Sequence, residues 1–323
     1  MFGLVSFVGA VGAILLVYLL CRLVLTQSGK IVPDGKAVLV TGCDTGFGHE
    51  LAQRLHQLGF VVFAGCLESQ GEGALHLRSV SAEDKRLHVL QMDVGSDEEV
   101  WKAAETVSSL LPASTDLWAV VNNAGISTFG ETEFCGMNVY QRLANVNLFG
   151  PIRVCKAFLP LLRKSKGRIV NVTSILGRQA SPGRSCYVAS KHGLEGFSQC
   201  LRYEMRRWGV HVAVMEPGNF IAATGIFTQA KIDAMATEMW AAAPEEVKRT
   251  YGEDFFRSRV RRMSYFARVG TTDKEPVIRA MVASVMDRVP RVRYTPNTFY
   301  WAFRTFVMTI LPHPVGDYLY HSK

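Results

Sequence analysis

Six short apolar runs alternate with helix-length amphipathic segments, and this alternation constrains the fold more than any other feature of the chain. The runs are apolar at nearly every position, which is typical of strands buried on both faces of a sheet. Strands and helices in this order form right-handed βαβ units and build a doubly wound parallel sheet. The predicted strands are 36–42, 60–66, 87–94, 117–125, 167–174 and 210–218, with a short edge strand at 291–296. The predicted helices are 47–58, 97–111, 137–163 and 185–208.

A glycine-rich turn follows the first predicted strand and leads directly into the first predicted helix. Its residues are Gly42, Cys43, Asp44, Gly46, Phe47 and Gly48, with the glycine spacing G-x-x-x-G-x-G. Glycines let the backbone approach a pyrophosphate closely, and the helix N-terminus supplies N–H donors. A plain structural turn has the same composition, but the position after a first strand favours a dinucleotide. The sequence therefore predicts an α/β, Rossmann-type fold.

Asp44 favours NAD over NADP, because its carboxylate repels the additional 2′-phosphate of NADP. The turn holds no Arg or Lys that would bind this phosphate, and Cys66-Leu67-Glu68 at the end of the second strand also lacks a basic residue. Further cofactor contacts are predicted where later strands end, at the switch point of the sheet. These residues are Asp93, Val94, Asn122, Ala124, Gly125, Pro217 and Gly218. Asp93 fits a helix cap equally well.

Tyr187 and Lys191 form a Y-x-x-x-K pair, which places both side chains on one face of a helix. An ammonium group near a phenol lowers the phenol's pKa, so Tyr187 is predicted to act as acid and base. Ser174, at the end of the fifth strand, is predicted to orient the reacting oxygen. Asn147, on the preceding helix, is predicted to hold a proton-relay water. The pair alone is common on helix surfaces, so the prediction rests on all four residues together.

Composition limits the class of protein. The chain has 323 residues, 48% of them hydrophobic, which suits one large domain. Six of its eight net positive charges fall in residues 245–323, which fits a phospholipid surface, nucleic acid or simply a solvated face. Charge is the sole argument for nucleic acid, so none is predicted. Seven cysteines without C-x-x-C indicate reduced thiols, and the eight histidines lack metal-ligand spacing, so no metal is predicted.

Residues 1–25 are predicted to form a hydrophobic anchor, because positions 1–21 carry no charge and are about as long as a bilayer-spanning helix needs. Arg22 follows the apolar run and no basic residue precedes it, unlike in a cleaved signal peptide. A buried N-terminal helix is the alternative. Residues 26–35 read as a linker, and 36–323 as the catalytic domain.

The segments TGCDTGFG, NNAG and YVASK, with Ser174 and Asn147, resemble the short-chain dehydrogenase/reductase superfamily over about residues 36–300. The resemblance implies a Rossmann fold, no metal and the roles given above. Thr224 departs from the pattern, since many members carry a cofactor-binding Thr closer to the preceding Pro-Gly. No cofactor role is assigned to it here.

Other segments, including NNAGISTFGETEF and YTPNTFYWAFRTFVMTILP, resemble the branch that oxidises D-3-hydroxybutyrate. This resemblance implies NAD-linked interconversion of (R)-3-hydroxybutyrate and acetoacetate, a homotetramer and activation by phosphatidylcholine. Retinol or hydroxysteroid oxidation is the alternative, because that branch shares TGCD-x-GFG. A catalytically silent NAD-binding protein is a third reading, against which the four intact site residues speak.

Arg184, three residues before Tyr187, is predicted to bind the carboxylate of a hydroxy acid, and Arg178 is a second candidate. Either arginine also fits a surface or subunit contact. A retinol or steroid site needs apolar walls in place of a cation.

Two C-terminal segments complete the prediction. Residues 225–271 are expected to cover the substrate site. Residues 297–311, with five aromatics and one charge, are expected to lie in a membrane interface, or else to form a core or oligomer contact. The resemblance implies the matrix face of the mitochondrial inner membrane. The uncharged N-terminus resembles instead that of retinol and steroid dehydrogenases, which implies as the alternative the endoplasmic reticulum membrane with the catalytic domain in the cytosol.

Overall fold

Seven parallel strands form the centre of the protein in a computed structural model that describes residues 29–82, 84–320, 12 and 16. The strands are β1 Lys36–Thr41, β2 Val61–Cys66, β3 Leu87–Gln91, β4 Asp116–Asn122, β5 Arg168–Val172, β6 His211–Met215 and β7 Arg293–Tyr294. Their order is β3-β2-β1-β4-β5-β6-β7, and every pairing is parallel. The predicted doubly wound parallel sheet is therefore confirmed, and its switch point lies between β1 and β4.

Helices cover both faces of this sheet. They are α1 Gly46–Gln57, α2 Glu72–Val80, α3 Asp97–Leu110, α4 Met137–Ala144, α5 Gly150–Ser165, α6 Ser185–Met205, α7 Ile221–Thr224, α8 Gln229–Ala242, α9 Glu245–Tyr251, α10 Glu253–Arg268, α11 Glu275–Met286, α12 Phe299–Ile310 and α13 His313–Tyr320. Helices α2 and α11 were not predicted from the sequence. Both pack on the same face as α1, where Leu77 and Met281 are fully buried.

Alternate residues of β1 enter two different cores. Val38 and Val40 pack with α1, α2 and α11, whereas Ala37 and Leu39 pack with α3, α5 and α6. Because each strand residue points to the face opposite its neighbour, a strand with two buried faces has no polar positions. This packing explains the uninterrupted apolar runs in the sequence.

The predicted helix 137–163 is interrupted by a π-helical segment, Asn145–Phe149. Its physical cause is Pro151, which has no N–H to donate to the carbonyl of Asn147 four residues earlier. The backbone widens locally before α5 continues. Asn147 therefore lies in the wide segment and not in a regular helix.

The region predicted to cover the substrate site forms α8, α9 and α10. These helices share a third hydrophobic cluster with residues near the ends of the central strands. Phe134 lies 5.0 Å from Phe256, and Trp240 lies 5.0 Å from Phe256, measured between ring centroids. The aromatic contacts attach this layer to the dinucleotide-type core.

The predicted anchor, residues 1–25, lies outside the described residues apart from two isolated positions. Within the described part of the chain, no helix is both long and apolar enough to cross a membrane. The six described cysteines are free thiols, and five of them are buried.

Candidate active site

The glycine turn brings the backbone of β1 against that of β4. Gly42 has φ +70°, and a Cβ there would lie 2.7 Å from the Cα of Ala124. A Cβ at Gly48 would lie 2.4 Å from both the amide nitrogen of the Asn123 side chain and the carbonyl of Gly42. Residues with side chains do not fit at these positions. The turn thus leaves the start of α1 open toward the cleft, as a dinucleotide pyrophosphate requires.

A cleft of about 720 Å³ runs along the carboxyl ends of the strands. It is lined by most of the predicted cofactor residues, namely Gly42, Asp44, Gly46, Phe47, Asp93, Val94, Ala124, Gly125, Tyr187, Lys191, Pro217 and Gly218. The residues present fit a dinucleotide: a glycine cradle, a helix N-terminus and a long groove at the switch point.

Three predicted cofactor residues do not line this cleft. Cys43 is fully buried, and its thiol donates to the Val40 carbonyl at 3.2 Å. Asn122 is buried and donates to Asn171 within the sheet at 2.8 Å. Gly48 provides close packing behind the turn, as described above. The cleft is lined instead by the neighbour Asn123, because successive residues at a strand end face opposite sides.

The Asp44 carboxylate fixes the end of β2. Its Oδ2 accepts from the N–H of Leu67 at 3.0 Å, and its Oδ1 accepts from the N–H of Glu68 at 2.9 Å. Its negative charge is thereby held at the strand end beside the first β-α turn, where the ribose of a dinucleotide lies in this fold.

Ser174, Tyr187 and Lys191 meet where the cleft joins a second cavity. Ser174 follows β5 and hydrogen bonds with the Tyr187 hydroxyl, whereas α6 carries both Tyr187 and Lys191. The Lys191 ammonium lies 5.7 Å from the centre of the Tyr187 ring and donates to the Val172 carbonyl at 2.9 Å. The predicted grouping of these three residues is present in the structure.

The balance of charges around the tyrosine differs from the sequence expectation. Burial raises the pKa of Tyr187, and this effect outweighs the lowering by Arg184 and by the hydrogen bond from Ser174. Burial also lowers the pKa of Lys191 to about 8. The cation that lowers the pKa of Tyr187 is thus Arg184. The sequence had suggested Lys191 for this role.

The side chain of Asn147 is occupied by protein contacts. Its Oδ1 accepts from the N–H of Ile126 at 2.9 Å, and its Nδ2 donates to the Ile126 carbonyl at 2.9 Å and to Ser190 at 3.1 Å. The main-chain carbonyl of Asn147 is the group without its usual helical donor, because residue 151 is proline. A relay water at Asn147 would therefore bind the backbone and not the side-chain amide.

The second cavity, of about 530 Å³, adjoins Ser174 and Tyr187. Arg184 is one of its walls and lies 5.1 Å from the Tyr187 ring centre. Its Nη2 donates to Ser127 at 2.8 Å, and its buried Nε has no hydrogen-bond partner. Arg184 contacts no carboxylate among the described residues, so its charge is available to an anion in the cavity.

Arg178 lies elsewhere. Its Nη1 is 3.6 Å from Oε2 of the buried Glu216, and it lines neither the cleft nor the cavity. Arg178, the second candidate for binding the substrate carboxylate, is thus already paired with Glu216.

Several site residues were missed by sequence reasoning. They are Thr45, Leu67, Asn123 and Thr224 in the cleft, and Ser127, Phe227, Met263 and Trp301 in the cavity. Thr45 and Asn123 lie inside motifs that the sequence shows and were recoverable from strand periodicity. The cavity residues come from four separate regions of the chain, and no local pattern marks them.

A parallel sheet with a glycine cradle and a Ser-Tyr-Lys group defines a dinucleotide-dependent oxidoreductase. The family model for short chain dehydrogenase matches residues 36–233, and the chain belongs to this family, whose members use NAD or NADP.

Among curated relatives, the mitochondrial D-beta-hydroxybutyrate dehydrogenase of Rattus norvegicus is 49% identical over 89% of this chain and 84% of its own length. Estradiol 17-beta-dehydrogenase 2 of Mus musculus is 40% identical over 86% of this chain and 73% of its own. A solved short-chain dehydrogenase from Streptomyces avermitilis has the same fold, with a TM-score of 0.66 and 23% identity over 84% of this chain and 91% of that one.

Proposed function

We propose that this protein oxidises (R)-3-hydroxybutyrate to acetoacetate with NAD and catalyses the reverse reduction. The observation that carries the proposal is Arg184, a cation on the wall of the cavity that holds Tyr187, with no acidic partner among the described residues. The hydroxybutyrate dehydrogenases that are 47–49% identical to this chain support the same substrate.

In this proposal Tyr187 exchanges the proton. When the alcohol is oxidised, the phenolate oxygen of Tyr187 takes the proton of the substrate's hydroxyl group. Ser174 holds the oxygen of that hydroxyl group by a hydrogen bond. When bound, the nicotinamide supplies the acceptor for the hydride that leaves the carbinol carbon. In the reduction direction the protonated Tyr187 is the acid, a state that its raised pKa favours at neutral pH.

Lys191 and Asn147 complete the proton path. The Lys191 ammonium and the Asn147 side chain both flank Gly125, lying 3.6 and 3.4 Å from the position that a Cβ there would occupy. A water on the Asn147 carbonyl would link Lys191 to the interior side of the cleft.

Arg184 holds the substrate's carboxylate. Burial lowers the pKa of Arg184, and an anion beside it offsets the cost of burying its charge. The guanidinium lies over the Phe227 ring, 5.3 Å from its centre, and this contact stabilises the cation. With its carboxylate bound in this way, the substrate places its 3-hydroxyl group toward Tyr187.

NAD is the proposed cofactor. The Asp44 carboxylate at the end of β2 opposes a 2′-phosphate by like-charge repulsion. It also accepts hydrogen bonds from two backbone N–H groups, so the side chain cannot rotate away without breaking both bonds.

Oxidation of a retinol or hydroxysteroid is the second candidate. The cavity is large enough for a drug-sized ligand and carries aromatic and aliphatic walls, including Phe129, Phe227, Met263 and Trp301. Estradiol 17-beta-dehydrogenase 2 of Mus musculus, 40% identical, and 17-beta-hydroxysteroid dehydrogenase type 2 of Homo sapiens, 37% identical, support this candidate.

A phospholipid surface containing phosphatidylcholine is the proposed partner. Phe299, Phe303, Phe306 and Ile310 form one exposed stripe along α12, and each is more than half exposed. The opposite side of α12 contributes Trp301 to the cavity.

The mitochondrial relatives support residence at the matrix face of the inner membrane, with the endoplasmic reticulum membrane as the alternative. A homotetramer is the proposed assembly, on the family resemblance. Sedimentation of the purified protein measures it.

A substrate panel tests the function. NADH formation is measured with (R)-3-hydroxybutyrate, a neutral secondary alcohol, retinol and a 3α-hydroxysteroid, with and without phosphatidylcholine vesicles. We expect turnover of the hydroxy acid. Turnover of retinol or steroid alone would establish the second candidate, and tight NAD binding with no turnover would leave a binding protein.

The Arg184→Ala variant tests the carboxylate contact. We expect KM for 3-hydroxybutyrate to rise roughly ten- to hundredfold, because a hydrogen bond to a charged group contributes about 1.5–3 kcal/mol. KM for the neutral alcohol should change far less. Arg178→Ala is the matched comparison, and a larger effect there, or equal losses on both substrates in Arg184→Ala, contradicts the assignment.

A further inference from the structure

The end of β5 contacts three side chains of α6 through consecutive residues. The carbonyl of Val172 accepts from Lys191 at 2.9 Å. The hydroxyl of Thr173 donates to Oε1 of Glu195 at 2.6 Å, and Ser174 contacts the acid/base tyrosine. Glu195 is thus hydrogen-bonded to the same short segment that contacts the reacting groups, although the proposed mechanism gives Glu195 no part.

The second carboxylate oxygen of Glu195 accepts from Nη2 of Arg293 at 2.9 Å. The other end of this guanidinium contacts Glu216, which is fully buried and lies 3.6 Å from Arg178. Positive and negative charges therefore alternate from the partly exposed Arg178 inward to Glu195. Arg293 belongs to β7 and lies beyond residues 36–233, the segment that the family model covers.

We propose that Glu195, clamped between Thr173 and Arg293, is a positioning residue for the ammonium group of Lys191. The two side chains lie one helical turn apart on α6, and both residues are at most 4% exposed. A buried ammonium group needs a compensating negative charge, and a clamped carboxylate supplies it in one fixed place. This inference rests on the proposed function only in giving Lys191 its role beside Tyr187.

Electrostatics support the same arrangement. Burial lowers the pKa of Lys191, and the Glu195 carboxylate raises it, leaving it at about 8. The other charged or titratable groups around this point are Tyr187 on the same helix, Arg184 beside it, and the Glu216–Arg293 pair at the sheet edge. Without the charge of Glu195, Lys191 would lose its proton at a lower pH.

The Glu195→Gln variant tests the proposal, because glutamine keeps the size of the side chain and an acceptor for Thr173. We expect the alkaline limb of kcat against pH to move about one unit lower, as removal of a neighbouring opposite charge does. KM for the substrate should change little. Glu195→Asp restores a charge and should recover part of the limb.

A second measurement does not depend on turnover. The acetylation of Lys191 by acetic anhydride, followed by peptide mass spectrometry across pH, reports its neutral fraction directly. We expect the midpoint to be lower in Glu195→Gln than in the unaltered protein. Glu204→Gln, which removes the same charge from the exposed side of α6, is the matched control and should leave the midpoint in place.

Binding of NADH, followed by its fluorescence, shows that each variant is folded. If Glu195→Gln fails this test, Thr173→Val releases one side of the clamp and should move the midpoint in the same direction. An unchanged midpoint in a folded Glu195→Gln protein overturns the proposal. Absence of turnover with (R)-3-hydroxybutyrate overturns the proposed function instead and leaves the acetylation result standing.

Discussion

Tyr187 shows how strongly burial controls chemistry at the scale of one residue. Burial raises the pKa of its phenol more than Arg184 and Ser174 lower it, which favours the protonated form. An enzyme whose base must first lose this proton oxidises its substrate faster as pH rises. The reverse reduction starts from the protonated phenol and is favoured at neutral pH.

Asp44 gives a residue-scale prediction about the cofactor. Asp44→Asn keeps an acceptor at the end of β2 and removes the negative charge, so NADP should bind with less repulsion. We expect the ratio of kcat/KM for NADP to that for NAD to rise about tenfold or more. Steady-state kinetics with both cofactors measure it.

The control for this change is Asp97→Asn, which removes the same charge from an exposed ion pair with Arg153. This variant should leave the ratio of the two cofactors unchanged. A ratio that stays constant in Asp44→Asn shows that another group selects the cofactor.

The sequence predicted the chemical residues better than the walls around them. Ser174, Tyr187 and Lys191 were predictable because strand ends and helical spacing place them without tertiary information. The contacts of Arg184 with Ser127 and Phe227 join distant segments and required the fold. The direction of the pKa shift of Tyr187, which is opposite to the predicted one, also required the fold. No local pattern around Tyr187 shows that its side chain is buried.

At the scale of the element, the turn between β1 and α1 yields a prediction about stability. Gly42→Ala places a Cβ 2.7 Å from the backbone of Ala124 at φ +70°. Gly225→Ala is matched, with φ +63° and nothing within 4 Å of its Cβ. Both substitutions bear the strain of a left-handed residue, about 1–2 kcal/mol, and only Gly42→Ala adds a backbone clash.

We therefore expect Gly42→Ala to lower the free energy of unfolding by more than Gly225→Ala does, and to weaken NAD binding as well. Urea denaturation and NADH fluorescence measure the two effects. Equal destabilisation by the two variants would show that the turn relaxes without contact against β4.

The strands were predicted to within a few residues because both faces of the sheet are buried and the apolar runs are continuous. Helix α2 was not predicted because few of its residues are buried. In α2 only Ala74 and Leu77 are buried, too few to set a helical period. Pro151 hid the division of 137–163, since proline is tolerated near a helix start and the widening precedes it.

At the scale of the molecule, α12 carries the exposed aromatic stripe on one side and contributes Trp301 to the cavity on the other. Substitution of Phe299, Phe303 and Phe306 by serine removes the three aromatic side chains of the exposed stripe and leaves Trp301 in the cavity wall. We expect the triple variant to lose activation by phosphatidylcholine vesicles, because the apolar area that enters the interface is gone. The measurement is KM for the hydroxy acid with and without vesicles.

Trp101→Ser, at an exposed aromatic of α3, is the control and should keep full activation. Equal activation of the triple variant and the unaltered protein would remove α12 from lipid binding. Activation is the chosen readout because the predicted anchor, residues 1–25, would hold both proteins on vesicles.

The bond between Glu195 and Arg293 also has a consequence during protein synthesis. These residues are 98 positions apart, and Arg293 belongs to the last strand of the sheet. At about 5–20 residues per second, the ribosome needs roughly 5–20 seconds to make the intervening chain. A nascent chain that already contains Ser174, Tyr187 and Lys191 therefore still lacks Arg293, the counter-charge of Glu195. Translation must pass β7 before the site gains its full activity.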